Sequence, residues 1–164
     1  MTAPVITLRI ATDADTGALD RLLSQSYTKL LKSSYPPSVQ VLALPIISRA
    51  NPTLLSSGTY YVAEDGDGNI LGAGGWTRSI KGPAIADIRH VVTHHRHLRR
   101  GIARLVMMGV FSEARVAGIT RLDCLATRTA VPFYEAMGFD VEANVTVGLR
   151  PGIDFPAIRM VRVL

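Results

Sequence analysis

A three-layer domain of the α/β or α+β class is what this chain predicts. Three observations carry that prediction. Strand-like and helical stretches interrupt one another along the chain instead of segregating into blocks. The turn Asp65-Gly66-Asp67-Gly68-Asn69, rich in residues that tolerate positive φ, joins two strand-like runs into an antiparallel hairpin. A long helical stretch over 99–117 carries an apolar face wide enough to lie on a sheet. The 164 residues suffice for one domain, 1–164, whose core needs no covalent staples. No internal repeat, low-complexity tract or linker divides them.

Residues 5–10 alternate as a half-buried first strand. Thr12 or Asp13 then caps a helix with Leu19, Leu22, Leu23 and Tyr27 at helical spacing. Tyr35-Pro36-Pro37-Ser38 breaks it, since neither proline continues a helix well. Ser38 stands where it can cap a second helix carrying Val41, Leu42, Pro45, Ile46 and Ile47. The period changes at Thr59. Residues 59–64 read as a strand, 65–69 as the hairpin turn and 70–77 as the return strand. Gly72, Gly74 and Gly75 in that return strand mark a bulge or a close backbone approach. Lys81-Gly82-Pro83 turns the chain into a strand over 84–93. In the helix over 99–117, Ala103, Met107, Val110, Ala114 and Ala117 form one stripe, which Ile102, Val106 and Met108 widen. Gly118 follows, where a left-handed cap is preferred. A strand over 120–126 leads to a short helix over 129–137, with Pro132 in its first turn and Gly138 as its stop. Strands over 139–149 and 158–164 finish the chain.

Apolar residues make up 48% of the chain and charged residues 19%, a globular composition and not a disordered one. The single cysteine, Cys124, excludes an internal disulfide and fits a reducing compartment. Met1-Thr2-Ala3-Pro4 lacks the basic start of a secretory signal, and no apolar run reaches the length of a membrane span. The expectation is a cytoplasmic protein with no membrane partner. A net charge of +5 admits nucleic acid, a membrane surface or a small anion as ligand. Position narrows the choice. Arg89, Arg96, Arg99, Arg100 and Arg104 crowd around one predicted helix start, which suits a localised phosphate better than a nucleic-acid track. No recognition-helix or aromatic RNA-binding pattern is present.

Two segments carry the chemistry. The first is Val91-Val92-Thr93, a short loop, and then Arg99-Arg100-Gly101-Ile102-Ala103-Arg104. A helix start leaves backbone N–H groups without internal acceptors, and the helix dipole adds partial positive charge there. Gly101 and Ala103 are small where a pyrophosphate must approach the backbone. The spacing is not that of a P-loop, and no helix pattern follows Gly72-Ala73-Gly74-Gly75 to make it a dinucleotide loop. The second segment is Thr127-Arg128-Thr129-Ala130-Val131-Pro132-Phe133-Tyr134-Glu135-Ala136-Met137-Gly138-Phe139.

Together these segments resemble the GNAT family of N-acetyltransferases. The first is similar to the family's pyrophosphate loop, Gln/Arg-x-x-Gly-x-Gly/Ala, with Leu98 in place of Gln or Arg. The second is similar to its Asn-x-x-Ala-x-x-x-Tyr-Glu-x-x-Gly-Phe segment, with Thr127 in place of Asn. The resemblance implies a three-layer GNAT-like fold whose mixed, mostly antiparallel central sheet splays at the acetyl-CoA site, with helices on both faces. It implies acetyl transfer from acetyl-CoA to an amine, directly within a ternary complex and without a metal. Val91, Val92 and Thr93 would bond the pantetheine arm through their main chain. Arg99, Arg100, Gly101, Ile102, Ala103 and Arg104 would hold the pyrophosphate, with Thr127 and Phe133 also at the cofactor. Tyr134 would sit beside the thioester sulfur. The acceptor would be a small-molecule or peptide amine, walled by the first helices, the 27–38 region and Trp76. Dimers are common in the family, so a homodimer is a further expectation.

The residues suit those roles. A tyrosine, with a reference pKa of about 10, stays protonated at neutral pH and can donate to a departing thiolate. Asp87, on the strand entering the phosphate loop, is the candidate base for the amine, and the alternative for it is a surface carboxylate or an ion pair with Arg89 on the same strand face. His90 and Glu64 are lesser candidates, and strand alternation turns His90 away from Asp87. His90, His94, His95 and His97 lack metal-ligand spacing. Cys124 reads as a small core residue. Two other classes stay open at this stage: an acyl-CoA-binding sensor without useful catalysis, and a nucleic-acid-binding module that would betray itself by steep salt dependence.

Overall fold

The hairpin expected at residues 65–69 forms as read, with Asp65 N–H donating to Asn69 O at 3.0 Å. It joins β2 (Tyr60–Glu64) to β3 (Ile70–Arg78), and the rest of the sheet grows outward from this pair. The computed structural model describes residues 5–30, 32, 34–94 and 101–164. Its other strands are β1 (Thr7–Ile10), β4 (Ile85–Thr93), β5 (Arg121–Ala126), β6 (Asp140–Arg150) and β7 (Ile153–Val163). They line up as β1-β2-β3-β4-β5-β7-β6, and every neighbouring pair is antiparallel except β4 and β5. The helices are α1 (Thr16–Leu30), α2 (Pro37–Ile47), α3 (Pro52–Leu55), α4 (Ile102–Val116) and α5 (Val131–Ala136).

Side-chain alternation along the strands divides the core into layers. On one face, Leu19, Leu22 and Leu23 of α1 and Leu54 of α3 meet Val62, Ala73 and Val92. On the other, Val106, Met107, Val110 and Phe111 of α4 meet Tyr61, Trp76 and Leu122. At the far end of the first face, Ala43 of α2 packs with Tyr35 and Phe155. The three-layer, mostly antiparallel architecture is the one the sequence predicts.

Several elements differ in detail. The first strand starts at Thr7, not at position 5. α2 begins at Pro37 with Pro36 as its cap, so Ser38 lies inside the helix. Its Val41 and Leu42 are exposed, and Ala43 is the residue it buries. Met108 is exposed too, and Phe111 takes its place in the α4 face. α3 was not foreseen. It is a single turn whose cap, Asn51, accepts from the N–H groups of Thr53 and Leu54. The last strand begins at Ile153 and not at 158, because Pro156 is tolerated where β7 borders β6 alone.

The glycines of β3 are needed for close approach. A Cβ on Gly72 would lie 2.6 Å from Ile102 Cγ2, and one on Gly74 would lie 2.9 Å from both Val106 Cγ1 and Val91 Cγ2. One on Gly75 would meet Thr59 O at 2.3 Å and Tyr60 Cα at 2.6 Å. Both of those are backbone atoms and cannot rotate away. Gly75→Ala is therefore expected to destabilise the protein by about 1–3 kcal/mol, through forced strand separation. Chemical denaturation checks this, and an unchanged midpoint would contradict the packing described.

Candidate active site

β4 and β5 run side by side for only three pairs: Ile85 with Arg121, Ala86 with Leu122, and Asp87 with Asp123. Beyond that point β5 stays with β7 as far as Ala126, while β4 turns away. The cause lies on the other edge of β4. There Ala73 pairs with Val92 and Gly75 with Arg89, so His90 and Val91 together oppose Gly74. This is a β-bulge, one extra residue that bends the strand. His90 adopts φ +43°, the one non-glycine residue in that region among the described residues. Its carbonyl accepts a hydrogen bond from the Tyr60 hydroxyl at 2.7 Å.

The divergence opens a cleft of about 630 Å³. Asp87 and Asp123 stand at its closed end, and Cys124, Thr127 and Tyr134 line one side. Tyr27 and Ile47 reach it from α1 and α2, and Val147, Phe155 and Arg159 come from the β6–β7 arm. Tyr35 ties this arm down. It stacks on Phe155 at 4.8 Å, donates its hydroxyl hydrogen to Pro156 O at 3.1 Å and accepts from Arg128 N–H at 2.9 Å.

The titratable groups are set apart by their surroundings. Partial burial, reinforced by the neighbouring Asp123 charge, raises the Asp87 carboxyl above its ordinary value. Asp123 is shifted the other way. Burial alone would raise it, but hydrogen bonds from Lys81 Nζ (2.9 Å) and Arg121 Nε (2.7 Å) outweigh burial and hold it low. Arg89, the alternative partner for Asp87, donates instead to Thr77 Oγ1 at 3.2 Å. Glu64 is bound to Arg9 at 3.1 Å. His90 lines the cleft with Asp87, because the bulge breaks the alternation that would have separated them. Burial lowers its pKa, so it is neutral at pH 7.

Tyr134 is 5% exposed, at the heart of α5. Burial holds its phenol well above the ordinary value, and the nearby Cys124 adds to the shift. Burial likewise pushes Cys124 and Tyr27 up to about 12. Every one of these hydroxyl and thiol groups keeps its proton at neutral pH.

Gly101, in the segment that follows β4, caps α4 with φ +76°, a left-handed conformation that costs glycine little. The first N–H of the helix to find an acceptor inside it is that of Leu105, on Gly101 O at 2.9 Å. The amides of Ile102, Ala103 and Arg104 precede it, without intrahelical acceptors. The Ile102 side chain itself is buried against Gly72, and Arg104 is exposed. Arg99 and Arg100 lie outside the described residues, as do Arg96 and Leu98. Val91 lines the cleft, whereas the Val92 side chain belongs to the α1 face and Thr93 pairs with Gly72. Thr127 lines the cleft, and Phe133 packs edge-on to Tyr134 at 5.2 Å. Trp76, expected in the acceptor wall, lies on the opposite face of the sheet beneath α4, so that expectation is corrected. Tyr60, Phe155 and Arg159 were not singled out from sequence. Phe155, Ala157 and Arg159 do alternate at period two, a signal that Pro156 obscures.

Among the described residues no group of His, Cys, Asp and Glu could hold a metal ion, and no helix is long and apolar enough to cross a membrane. A family model described as an acetyltransferase (GNAT) domain matches residues 56–141, just over half of the chain. Among curated proteins none matches. Many solved structures share the fold. A GCN5-related N-acetyltransferase of Rhodopseudomonas palustris is 18% identical, with TM-score 0.80, over 100% of this chain and 98% of its own. The PaiA N-acetyltransferase of Thermoplasma acidophilum, solved in complex with coenzyme A, is 15% identical with TM-score 0.77, over 98% and 99%. A GCN5-related N-acetyltransferase of Kribbella flavida is 21% identical with TM-score 0.66, over 97% and 98%.

The opposite shifts of the two carboxylates give opposite expectations for stability. The folded pKa of Asp87 lies above its unfolded value, so its ionisation weakens the fold at neutral pH. Asp87→Asn should raise the thermal midpoint at pH 7. The folded pKa of Asp123 lies below its unfolded value, so it stabilises at neutral pH, and this is lost as pH falls through the folded value. Asp123→Asn should cost about 1–3 kcal/mol at pH 7 and progressively less in acid. A midpoint lowered by Asp87→Asn would contradict the assignment.

Proposed function

Because the chain belongs to the GNAT acetyltransferase family, we propose that it moves an acetyl group from acetyl-CoA to an amine within a ternary complex. The observation that carries this reading is the separation of β4 from β5 after Asp87, with Tyr134 in one wall of the resulting cleft. The site suits coenzyme A on its own terms. β4 lacks β5 as a partner alongside Val91, leaving room for an extended amide-bearing arm to lie like a strand. The amides of Ile102, Ala103 and Arg104, set behind a left-handed Gly101, suit a diphosphate. Arg99 and Arg100 would add charge there.

Bound acetyl-CoA supplies a thioester, which an uncharged amine can attack. Asp87 takes the proton from that amine, directly or through water, at a carboxylate made more basic by burial and by Asp123. Tyr134 keeps its proton at Oη and offers it to the sulfur as negative charge develops there. Lys81 and Arg121 keep Asp123 ionised, so that Asp123 serves as the fixed charge and Asp87 as the group that titrates. Thr127 and Phe133 border the same end of the cofactor site. The acceptor is a small-molecule or peptide amine, the unit is one domain over 1–164, and the setting is the cytoplasm. The buried, protonated Cys124 is in keeping with that setting.

Tyr134→Phe is expected to lower kcat about a hundredfold, in the range of lost proton transfer, while the Kd for acetyl-CoA stays unchanged. Thiol release over a panel of amines, with calorimetry for binding, checks both. Unchanged turnover removes Tyr134 from its role. Acetyl-CoA binding without release to any amine would leave a sensor of the same fold.

A further inference from the structure

The sheet ends in two edge strands, and they are guarded unequally against pairing with another chain. β1, at one end, has four residues, and its Arg9 is held in ion pairs with Asp15 and Glu64. β6, at the other end, has eleven residues, borders β7 alone and buries none of them fully. Between Glu142 and Arg150 it carries no charge and no proline, the residues with which natural edges repel a second strand. An extra residue near each end, at Glu142 and at Leu149, breaks the ladder with β7 and leaves 143–148 as a regular stretch.

Register decides which backbone groups of that stretch face outward. Leu164 N–H donates to Thr120 O at 2.9 Å, so the even-numbered residues of β7 turn their backbone groups toward β5. Pro156 obeys the same alternation: its carbonyl points away from β6 and accepts from the Tyr35 hydroxyl at 3.1 Å. The residues opposite them on β6 therefore form the non-hydrogen-bonded pairs: Asn144 with Ile158, Thr146 with Pro156 and Gly148 with Asp154. Their N–H and C=O groups face out of the sheet, and among the described residues they have no partner.

The strand is also complementary to itself when reversed. Asp140 and Glu142 stand at its start and Arg150 at its end. Two copies laid antiparallel about a two-fold axis near Val145 or Thr146 bring Arg150 of each against Asp140 or Glu142 of the other. A parallel pairing would set the acidic ends together. The uncharged middle contains Val145, Thr146 and Val147, β-branched residues that favour a ladder.

We propose that β6 is the docking edge for a second copy of this chain, the two strands joining antiparallel so that one sheet runs through a homodimer. Asn144, Thr146 and Gly148 supply the ladder, and Arg150 with Asp140 and Glu142 sets its direction. Val147 and Leu149 of the same strand line the cleft, so the second copy braces one of its walls. The pairing does not depend on the acetyl-transfer reading and stands or falls separately from it.

Sedimentation velocity of the full chain over a dilution series tests this. The protein should sediment as a dimer that dissociates on dilution. Thr146→Pro deletes an N–H that β7 does not use, at an edge where proline is tolerated. It should give a monomer with the circular dichroism of the parent. Arg150→Glu should raise the dimer dissociation constant about tenfold, and adding Asp140→Lys and Glu142→Lys should restore it. Hydrogen exchange needs no variant and decides the matter even if Thr146→Pro misfolds. The amides of Asn144, Thr146 and Gly148 should be protected in concentrated protein and exposed in dilute protein. A protein monomeric at every concentration would overturn the inference, and so would β6 amides protected only on addition of an extended peptide. A dimer in which those amides exchange freely, or whose dissociation constant is the same in every variant, would place the contact elsewhere and overturn it too.

Discussion

At His90 and Val91 the fourth strand holds one residue more than the strand it pairs with, and much of the molecule is arranged around that excess. A bulge needs room opposite, and Gly74 provides it, since any side chain there would meet Val91 and Val106. It also needs something to hold a histidine at positive φ, and the Tyr60 hydroxyl does so through the His90 carbonyl. The bend it imposes turns β4 from β5 after three pairs.

What the cleft contains follows from how far each group is removed from water. Two aspartates stand in register across β4 and β5, but only Asp123 has cations bound to it. The other, Asp87, is left as the stronger base of the two. Tyr134, buried deeper than either, retains its proton. A base and a proton donor are thereby set on one cavity by environment alone, the separation of roles that proton-transfer chemistry requires. The arm made of β6 and β7 lines the cleft, tied to the α1–α2 connection and to Arg128 by one residue, Tyr35.

Much of this could be read from the residues. The hairpin, the α4 face, the glycine stops and the tyrosine segment all announce themselves by local chemistry, and the layers follow from their order. The β3 glycines were legible as a bulge or close approach, and both proved true. What local pattern could not show was anything set by register. The bulge moved His90 into the cleft against simple alternation. Trp76 had no signal telling which face of the sheet it would take, and it lies under α4. Pro156 concealed the first half of β7, and with it Phe155, because the sequence does not reveal that this stretch has a neighbour on one side only. Arg99 and Arg100 were the clearest phosphate-binding signal in the chain, and they fall outside the described residues.

The gap between β4 and β5 is the proposed seat of coenzyme A. A crystal structure of the protein grown with coenzyme A measures this most directly. It should show the pantetheine arm lying between the two strands alongside Val91, the diphosphate on the amides of Ile102 to Arg104, and the sulfur next to Tyr134 Oη. Coenzyme A bound elsewhere on the surface, with the two strands drawn together or the gap filled by side chains, would contradict it.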